Sequence, residues 1–595
     1  MTETVAEILD AYRCGTLTPA DIVARSYARM RAHDDPAVFI ALREEAEVAA
    51  EAQTLAKRAD PALPLYGIPV AVKDNIDVRG LPTTAACPAF SYRPSRDAAA
   101  VARLREAGAI ILGKTNLDQF ATGLVGVRTP YGIARNLFND KLVPGGSSTG
   151  SAVAVAAGFA PLSLGTDTAG SGRVPAAFNN IVGLKPSRGL VSTSGVVPAC
   201  RTLDCVSVLA LTVDDALASL DVIAGDEHAA ARTLRAAGPM PDGVKLGVPM
   251  AGQRLFFGDQ ASADAYEEAL ERFVRLGAVM VEIDIEPFYE AARLLYEGPW
   301  VAERYLTVRA LVASSPESMH PVTRQILLAG SHGSAADAFA AFYQLDDLRG
   351  ARDRTFRTVD VIVLPTAPTI YTVEQVLDDP IGLNSRLGTY TNFVNLLDLC
   401  GLAVPASLRA DGVPFGVTLL APAGQDTALA AIGRQFHHAT GLPLGALGYK
   451  PPPLAAGGAT PAAGEIAIAV VGAHLSGMPL NGELRAGGGR LLERSATAPH
   501  YRLFALAGTK PPKPGLLRVK NGAGTAIEVE MWALSEAAFG RFVAAVPPPL
   551  SIGTLELADG RTVKGFLVEA EAVEGARDIS SFGGWRKFVA STATA

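Results

Sequence analysis

The chain has 595 residues, of which 49% are hydrophobic and 19% are charged, and its mean hydropathy is positive at +0.22. A chain this long and this apolar can bury a large core, which excludes a disordered protein. The net charge is −7, and neither the part before Lys450 nor the part after it is strongly basic. We therefore expect no nucleic-acid partner.

The first part of the chain alternates short apolar runs with longer helical stretches. Its first clear helix signal has Thr18 as a candidate N-cap, Pro19 at the first helical position and Asp21 in the first turn. The strands that we predict after it are Ile68–Val72, Ile110–Leu112, Leu162–Leu164, Leu246–Val248, Val279–Ile285 and Val361–Leu364. This alternation predicts an α/β domain around a central, largely buried sheet.

A stretch rich in Pro, Gly and Ala, residues 450–464, has no apolar period and is typical of a linker. We therefore predict two domains, residues 1–449 and 465–595. The elements predicted in the second are strands Ile466–Leu475, Tyr501–Ala505, Leu516–Val519 and Ile527–Leu534, a helix Ser535–Val546, and a hairpin of Thr554–Leu557 and Thr562–Val568. They predict a small α+β, barrel-like domain.

Cysteine usage and the N-terminus indicate where the protein works. The five cysteines are widely spaced and form no CxxC pair, which is typical of a reducing compartment. The N-terminus has no basic-then-apolar signal pattern, and no apolar run reaches the ~18 residues of a membrane span. We expect a cytoplasmic protein with no membrane partner.

Two small-residue loops and one lysine carry the chemical signal. Residues 144–158, PGGSSTGSAVAVAAG, lead from a Gly/Ser-rich loop into a helix, and residues 165–175, GTDTAGSGRVP, form a second such loop. Neither contains GK[ST] or GxGxxG, which argues against a nucleotide site. Lys73 ends an apolar strand, where it needs either a partner or a lowered pKa.

The base that would activate a serine in these loops is not obvious from residue types alone. No histidine lies between residues 34 and 227, although a distant histidine could still complete a Ser-His-Asp triad. Residues 146–150 match GxSxG at Ser148, but Pro144-Gly145 interrupts the strand that a nucleophile elbow needs. Serine with lysine is the economical alternative. No Cys/His cluster or HExxH pattern occurs, so we expect no metal and no cofactor.

Three motifs in order, at residues 66–75 (YGIPVAVKDN), 144–158 and 165–187, resemble those of the amidase signature family. The resemblance covers most of residues 1–450 and implies a mixed sheet flanked by helices that hydrolyses amides with a Ser–Ser–Lys triad. It implies Lys73 as the base, Ser147, held in a cis peptide, as the bridging hydroxyl, and Ser171 as the nucleophile.

The same resemblance implies an oxyanion hole made by the backbone N–H groups of Thr168, Ala169, Gly170 and Ser171. Many family members have Gly where this chain has Ala169, and the added methyl would narrow the floor of the site. Lys73 must lose about three pKa units to act near neutral pH, which burial among small residues can supply. Ser148 is given a supporting role, and Asp167 and Arg173 structural ones.

Two further segments resemble the allophanate hydrolases in particular. They are LYEGPWVAERY at residues 295–305 and DQFATGLVGVRTPYG at residues 118–132. This resemblance implies that Tyr296 and Arg304 bind a substrate carboxylate and that Gly123 lines the substrate pocket. The small-molecule substrate would be allophanate, hydrolysed to ammonia and N-carboxycarbamate. The resemblance also implies a homodimer.

The tail extends this likeness. Residues 468–481, IAVVGAHLSGMPLN, resemble the C-terminal domain of allophanate hydrolases, which has a γ-glutamyl-cyclotransferase-like fold. That domain is implicated in decarboxylating N-carboxycarbamate. His474 is the candidate residue there, with Ser476 and Asn481 as neighbours that could bind an anion and His500 as a weaker alternative.

Two other interpretations stay open. The chain could be the amidase-like component of a tRNA-dependent amidotransferase, although that function predicts no use for the tail. It could also be a general small-amide hydrolase whose tail is only an interaction module.

Overall fold

A computed structural model describes residues 3–58, 60–225, 238–454, 460–461, 464–520 and 522–593. The chain divides into two compact units, residues 1–234 with 245–453, and residues 235–244 with 454–595. The described segment 238–244 therefore belongs to the second unit, although it lies within the sequence range that we predicted for the first domain.

The first unit is built around an 11-stranded mixed sheet, which confirms the predicted α/β class. Its strands are β1 Phe39–Leu42, β2 Pro69–Lys73, β3 Ile110–Thr115, β4 Leu162–Asp167, β5 Val182–Lys185, β6 Cys205–Ala210, β7 Lys245–Pro249, β8 Val279–Ile283, β9 Val361–Pro365, β10 Leu399–Leu408 and β11 Pro414–Pro422. They lie in the order β1-β3-β2-β4-β6-β5-β10-β11-β9-β7-β8. All six strands predicted in this part are present.

Helices flank this sheet. They are α1 Val5–Arg13, α2 Pro19–His33, α3 Glu45–Arg58, α4 Ala99–Glu106, α5 Thr149–Ala156, α6 Arg173–Phe178, α7 Val213–Ile223, α8 Gln260–Arg275, α9 Glu286–Glu297, α10 Trp300–Ser314, α11 Pro321–Ala329, α12 Ala335–Thr355, α13 Val373–Asp378, α14 Gly382–Leu387 and α15 Asp426–Thr440. The start of α2 confirms the sequence signal, because the Thr18 side chain accepts from the Asp21 N–H. Within the described ranges, every helix is too short or too polar to cross a bilayer.

Two neighbouring parallel strands place polar residues at one buried edge. β2 pairs in parallel with β4, and every residue of both strands is buried. The carboxyl ends of parallel neighbours lie at the same edge of a sheet. Lys73 at the end of β2 and Thr166 near the end of β4 are therefore brought together inside the unit.

The second unit is a small α+β unit, as predicted. Its strands are β12 Glu465–Val470, β13 Arg490–Ala496, β14 Tyr501–Ala505, β15 Pro514–Arg518, β16 Glu528–Ser535, β17 Leu550–Glu556, β18 Thr562–Val568 and β19 Arg577–Asp578, with helices α16 Asn481–Ala486, α17 Glu536–Ala544 and α18 Trp585–Ala593. They form a five-stranded sheet, β13-β16-β12-β18-β17, and a three-stranded sheet, β15-β14-β19. The predicted hairpin is confirmed, with Glu556 opposite Thr562.

The predicted strand Ile466–Leu475 is too long. Strand β12 ends at Val470, and the chain then turns, with the Leu475 N–H donating to the Gly472 carbonyl at 3.0 Å. Glycine and a Ser-Gly pair favour turns over continued strand. His474 therefore lies within a turn rather than at a strand end.

Candidate active site

Lys73, Ser147 and Thr166 form a buried cluster at the edge where β2 and β4 end. Lys73 Nζ is 2.7 Å from Ser147 Oγ and 2.7 Å from Thr166 Oγ1. The side chains of Lys73 and Ser147 are fully buried. The structure thus places the candidate base beside the candidate bridging serine, as the sequence predicts.

Ser147 follows a cis peptide bond from Gly146, which confirms that expectation. The Asp118 N–H donates to the Ser147 carbonyl at 3.2 Å, and a Cβ at residue 146 would collide with the Asp118 carboxylate. Asp118 in turn accepts N–H groups of residues 125, 126 and 128 at 3.0–3.2 Å. The buried Asp118 carboxylate therefore fixes the loop that follows Gly123 against the Ser147 peptide.

Ser171 lies in the loop between β4 and α6 and is buried. Its Oγ is 3.5 Å from the Gly123 carbonyl, and its own carbonyl accepts the Ser148 N–H at 3.2 Å. Among the described residues, Ser171 Oγ and Ser147 Oγ share no hydrogen bond. The two serine loops are tied together through Ser148, and Gly123 faces the candidate nucleophile.

The loop before Ser171 is held by an ion pair beneath it. Arg173 Nε and Nη2 each donate to the Asp167 carboxylate at 2.9 Å, and both side chains are fully buried. Burial acts to raise the pKa of Asp167, but Arg173, with Lys185 and the Gly172 N–H, holds that pKa below its usual value. This arrangement fits the structural roles that we expected for both residues.

The oxyanion donors are fewer than the resemblance implied. The Gly170 N–H donates to Asp167 Oδ1 at 2.9 Å, so it is engaged inside the loop. Gly170 has φ +121°, and a Cβ there would collide with Thr391, which explains the glycine. In the described part of the chain the N–H groups of Thr168, Ala169 and Ser171 have no protein acceptor and stay available.

Burial sets the protonation of Lys73. It lowers the pKa of the Lys73 amine to about 7, although the carboxylates of Asp118, Asp167 and Asp204 act in the opposite direction. Arg304 adds to the lowering. A lysine with this pKa is partly neutral near pH 7 and can accept a proton from Ser147.

Arg304 on α10 is a buried guanidinium with unused donors. Its Nη1 is 3.3 Å from Thr122 Oγ1, while Nε and Nη2 have no hydrogen-bond partner in the part of the chain that the structure describes. The guanidinium lies 5.2 Å from the ring centroid of Tyr296, across the break between α9 and α10 at Pro299. The structure therefore brings Tyr296 and Arg304 together close to Thr122, the neighbour of Gly123.

Asp204 is a buried carboxylate that the sequence motifs did not reveal. Its Oδ1 accepts the Thr168 hydroxyl at 2.5 Å and the Cys200 N–H at 3.1 Å, and its Oδ2 accepts the Ala199 N–H at 2.9 Å. Asp204 thus joins the oxyanion loop to residues 199–200, a segment that contacts α10 through Cys200. It is the residue just before β6, and an acid at the start of a mostly apolar strand was its only sequence signal.

Sequence reasoning also missed Thr166 and Asp118. Thr166 stands two residues before Thr168 in the second loop, and the parallel pairing of β2 with β4 alone brings it to Lys73. Asp118 opens the segment that contains Gly123, and its three N–H contacts depend on a turn that residue types do not specify.

In the second unit, His474 lies between two aromatic rings. It stacks on Phe566 with ring centroids 5.3 Å apart and meets Phe542 edge-on at 5.0 Å. Its Nε2 is 2.9 Å from Glu483 Oε2. Burial lowers the pKa of His474, and Glu483 opposes that shift. The neighbouring Ser476 is engaged by the buried Glu530 carboxylate.

Comparison with known proteins finds two families along the chain. The family described as Amidase matches residues 21–430, and the family described as Allophanate hydrolase C-terminal domain matches residues 466–590. The fold and the family match over residues 21–430 are those of the amidases. This chain belongs to the amidase family, is an amidohydrolase, and carries an allophanate hydrolase C-terminal domain.

Three similar proteins extend the comparison. Urea amidolyase of Lachancea kluyveri is 44% identical over 579 residues, which cover 94% of this chain and 31% of that protein. The chain thus spans about a third of the length of that relative. One subunit of the glutamyl-tRNA(Gln) amidotransferase of Symbiobacterium thermophilum is 36% identical over 72% of this chain and 95% of its own.

A solved structure, that of Kluyveromyces lactis allophanate hydrolase, matches with a TM-score of 0.80 and 39% identity. The match covers 99% of each chain, so it includes both units.

Proposed function

We propose that this protein hydrolyses allophanate, releasing ammonia, as a step of urea degradation. The observation that carries the proposal is Arg304, a buried guanidinium whose Nε and Nη2 have no partner in the described part of the chain. A buried cation with free donors in a planar fork suits a carboxylate bound in bidentate fashion. Allophanate has a carboxylate at one end and an amide at the other.

The proposed chemistry begins with neutral Lys73. Lys73 accepts the Ser147 proton while Ser147 accepts that of Ser171, which requires the Ser171 hydroxyl to turn from the Gly123 carbonyl toward Ser147. Ser171 Oγ then attacks the amide carbonyl of the substrate. The N–H groups of Thr168, Ala169 and Ser171 stabilise the negative charge on the carbonyl oxygen.

Collapse of the tetrahedral intermediate formed by this attack breaks the bond between the carbonyl carbon and the terminal nitrogen. The leaving nitrogen takes the proton back through Ser147 and departs as ammonia, which leaves an acyl group on Ser171. A water molecule, activated by the same relay, hydrolyses the acyl-enzyme and yields N-carboxycarbamate. Substrate would be held throughout by Arg304 and Tyr296 at one end and by the Gly123 segment at the other.

We infer that the second unit helps to decarboxylate N-carboxycarbamate, with His474 as the candidate residue. The support is the family match of residues 466–590 and the enclosure of the His474 ring between Phe542 and Phe566. The γ-glutamyl-cyclotransferase-like fold and the homodimer, which the resemblance implies, stay predictions. So does the cytoplasmic location, which cysteine usage and the N-terminus indicate.

The similarity to the amidase-like component of glutamyl-tRNA(Gln) amidotransferases favours a second candidate, ammonia release from glutamine for a partner enzyme. An ammonia-release assay with allophanate, biuret, malonamate and glutamine separates the candidates. We expect turnover of allophanate far above that of the other three. Preference for glutamine would favour the amidotransferase, and equal use of the neutral amide biuret would contradict the carboxylate requirement.

A further inference from the structure

A cavity of about 280 Å³ lies in the first unit. It is lined by residues 193–196, Pro198, Arg201 and Asp204. This volume lies just below the range of drug-sized ligand pockets and suits a much smaller molecule. None of the lining residues takes part in the proton relay.

Two walls of the cavity adjoin the catalytic residues. On one side, the Val197 N–H donates to the Asn75 carbonyl and the Asp77 N–H donates to the Gly195 carbonyl, both at 2.8 Å. Asn75 and Asp77 lie just after Lys73 in the chain. On the other side, Asp204 accepts the Thr168 hydroxyl of the oxyanion loop at 2.5 Å. The cavity lining is therefore bonded to the segment after Lys73 and to the oxyanion loop.

The loop that carries Arg201 is fixed on both sides of this residue. Cys200 Sγ is 3.5 Å from the Trp300 carbonyl, and the Thr202 N–H and hydroxyl donate to the Glu303 carboxylate at 2.8 Å and 2.7 Å. Trp300 and Glu303 both belong to α10, the helix of Arg304. Arg201 is thus held where the cavity, the oxyanion loop and the Arg304 helix meet.

The two charged side chains that line the cavity differ in how they are bonded. Both Asp204 carboxylate oxygens accept hydrogen bonds, from Thr168, Ala199 and Cys200. Arg201 is exposed, and within the described residues its guanidinium has no ion pair or hydrogen bond. Arg304, on the helix that this loop contacts, has two nitrogens without a hydrogen-bond partner in the described residues. An anion at the cavity would meet the unpaired guanidinium of Arg201.

We propose that this cavity is the entrance for the anionic substrate and that Arg201 is a specificity-determining residue, which attracts the substrate carboxylate before Arg304 binds it. The proposal rests on the proposed allophanate hydrolysis. An exposed charge at an entrance changes the rate at which a charged substrate binds and the salt dependence of that rate. It has little effect on a chemical step inside the site.

The test measures kcat/KM for allophanate at low salt and at about 0.5 M salt, where exposed charges are screened. The full-length variants are Arg201→Gln, Arg201→Lys and, as a control with the same change of net charge, Arg357→Gln. Arg357 is also exposed but precedes β9, near the other end of the sheet. At low salt we expect Arg201→Gln to lose about threefold to fivefold in kcat/KM, a loss that disappears at high salt.

We expect Arg201→Lys and Arg357→Gln to stay within about twofold of the wild type, because each keeps the charge at the entrance. Three results in an active wild type would overturn the entrance role alone. They are an unchanged kcat/KM in Arg201→Gln, an equal loss of kcat/KM in Arg201→Lys, and a loss that salt does not change. A wild type that releases no ammonia from allophanate would overturn the proposed function, and this proposal with it.

Discussion

Thr166 and Lys73 are joined by a buried contact of 2.7 Å between Thr166 Oγ1 and Lys73 Nζ, and the same oxygen lies 3.4 Å from Asn75 Nδ2. A hydroxyl oxygen has two lone pairs, so these two nitrogen donors can occupy both. When Lys73 is neutral, donation to Thr166 orients its own lone pair toward Ser147, 2.7 Å away. Thr166 is thus a positioning residue for the base.

The first prediction concerns this contact. Thr166→Val keeps the shape of the side chain but removes the acceptor, so the Lys73 amine loses its fixed orientation. We expect kcat/KM for allophanate to fall about 10- to 100-fold, since small misplacements of a catalytic group have effects of this size. Thr166→Ser should retain most activity because it keeps the hydroxyl. Equal losses in both variants would point to packing rather than to the hydrogen bond.

The second prediction concerns the proposed triad. Ser171→Ala and Lys73→Met should each lower kcat by at least about 1,000-fold, because each removes a group that the relay cannot replace. Ser148→Ala is the matched control, since the Ser148 hydroxyl bonds only to the Thr166 backbone in the described structure. It should keep activity within about tenfold. Near-normal turnover in Ser171→Ala would contradict the mechanism.

The third prediction concerns pH. Because the pKa of Lys73 is about 7, we expect kcat/KM to fall as the pH drops through about 7 and the amine becomes charged. Bound substrate carboxylate would neutralise Arg304, which helps to lower the Lys73 pKa. The pKa of Lys73 should therefore be higher in the substrate complex than in the free enzyme. The acid-side fall of kcat should lie at higher pH than that of kcat/KM. Rates measured from pH 5 to 9, with circular dichroism as a check on folding, test this. A pH-independent rate would exclude Lys73 as the base.

The sequence predicted the fold of the first unit where apolar runs were short and bounded. Strands β2, β3 and β4 were recognised in this way. The long strands β10 and β11 were missed, although residues 409–412, RADG, separate two apolar runs in the way a hairpin turn does. Their pairing, from Leu399 with Pro422 to Leu408 with Pro414, is a long-range property that only the folded sheet reveals.

In the candidate site, too, some residues could be predicted from the sequence and others could not. Motif residues to which the proposal gives the chemistry, such as Lys73 and Ser147, could be named from the sequence and are found in contact. Residues that act through another group, such as Thr166 and Asp204, could not, because their roles depend on which strands are neighbours. The engagement of the Gly170 N–H by Asp167 likewise depends on the conformation of one loop.

The fourth prediction concerns the carboxylate clamp. Arg304→Gln removes the charge from a buried site, so we expect KM for allophanate to rise about 100-fold, the effect of losing a bidentate charged hydrogen bond. Biuret differs from allophanate by an amide in place of the carboxylate, and its binding should change far less. Arg304→Lys should restore binding only in part, because an ammonium cannot bond in bidentate fashion. Equal effects on both ligands would exclude the clamp.

The last prediction concerns the second unit, where a point variant is a cleaner test than truncation. Asp242, from the segment within the first unit's sequence range, bonds to Arg494 at 2.8 Å and lies 3.5 Å from Arg586. Removing residues 454–595 would leave this segment without its partners. His474→Gln instead changes one ring, and His500→Gln is its matched control, since His500 also pairs with a glutamate, Glu556, at 3.2 Å.

We expect His474→Gln to release the first ammonia from allophanate at the wild-type rate, because the proposed amidase residues all lie in the first unit. Formation of CO₂ should be slower by about tenfold or more, as for loss of a general acid or base, and His500→Gln should change neither rate. Parallel assays of ammonia and CO₂ separate the two steps. Unchanged CO₂ formation in His474→Gln would contradict a chemical role for His474, and an equal fall of both products in both variants would indicate damage to the fold.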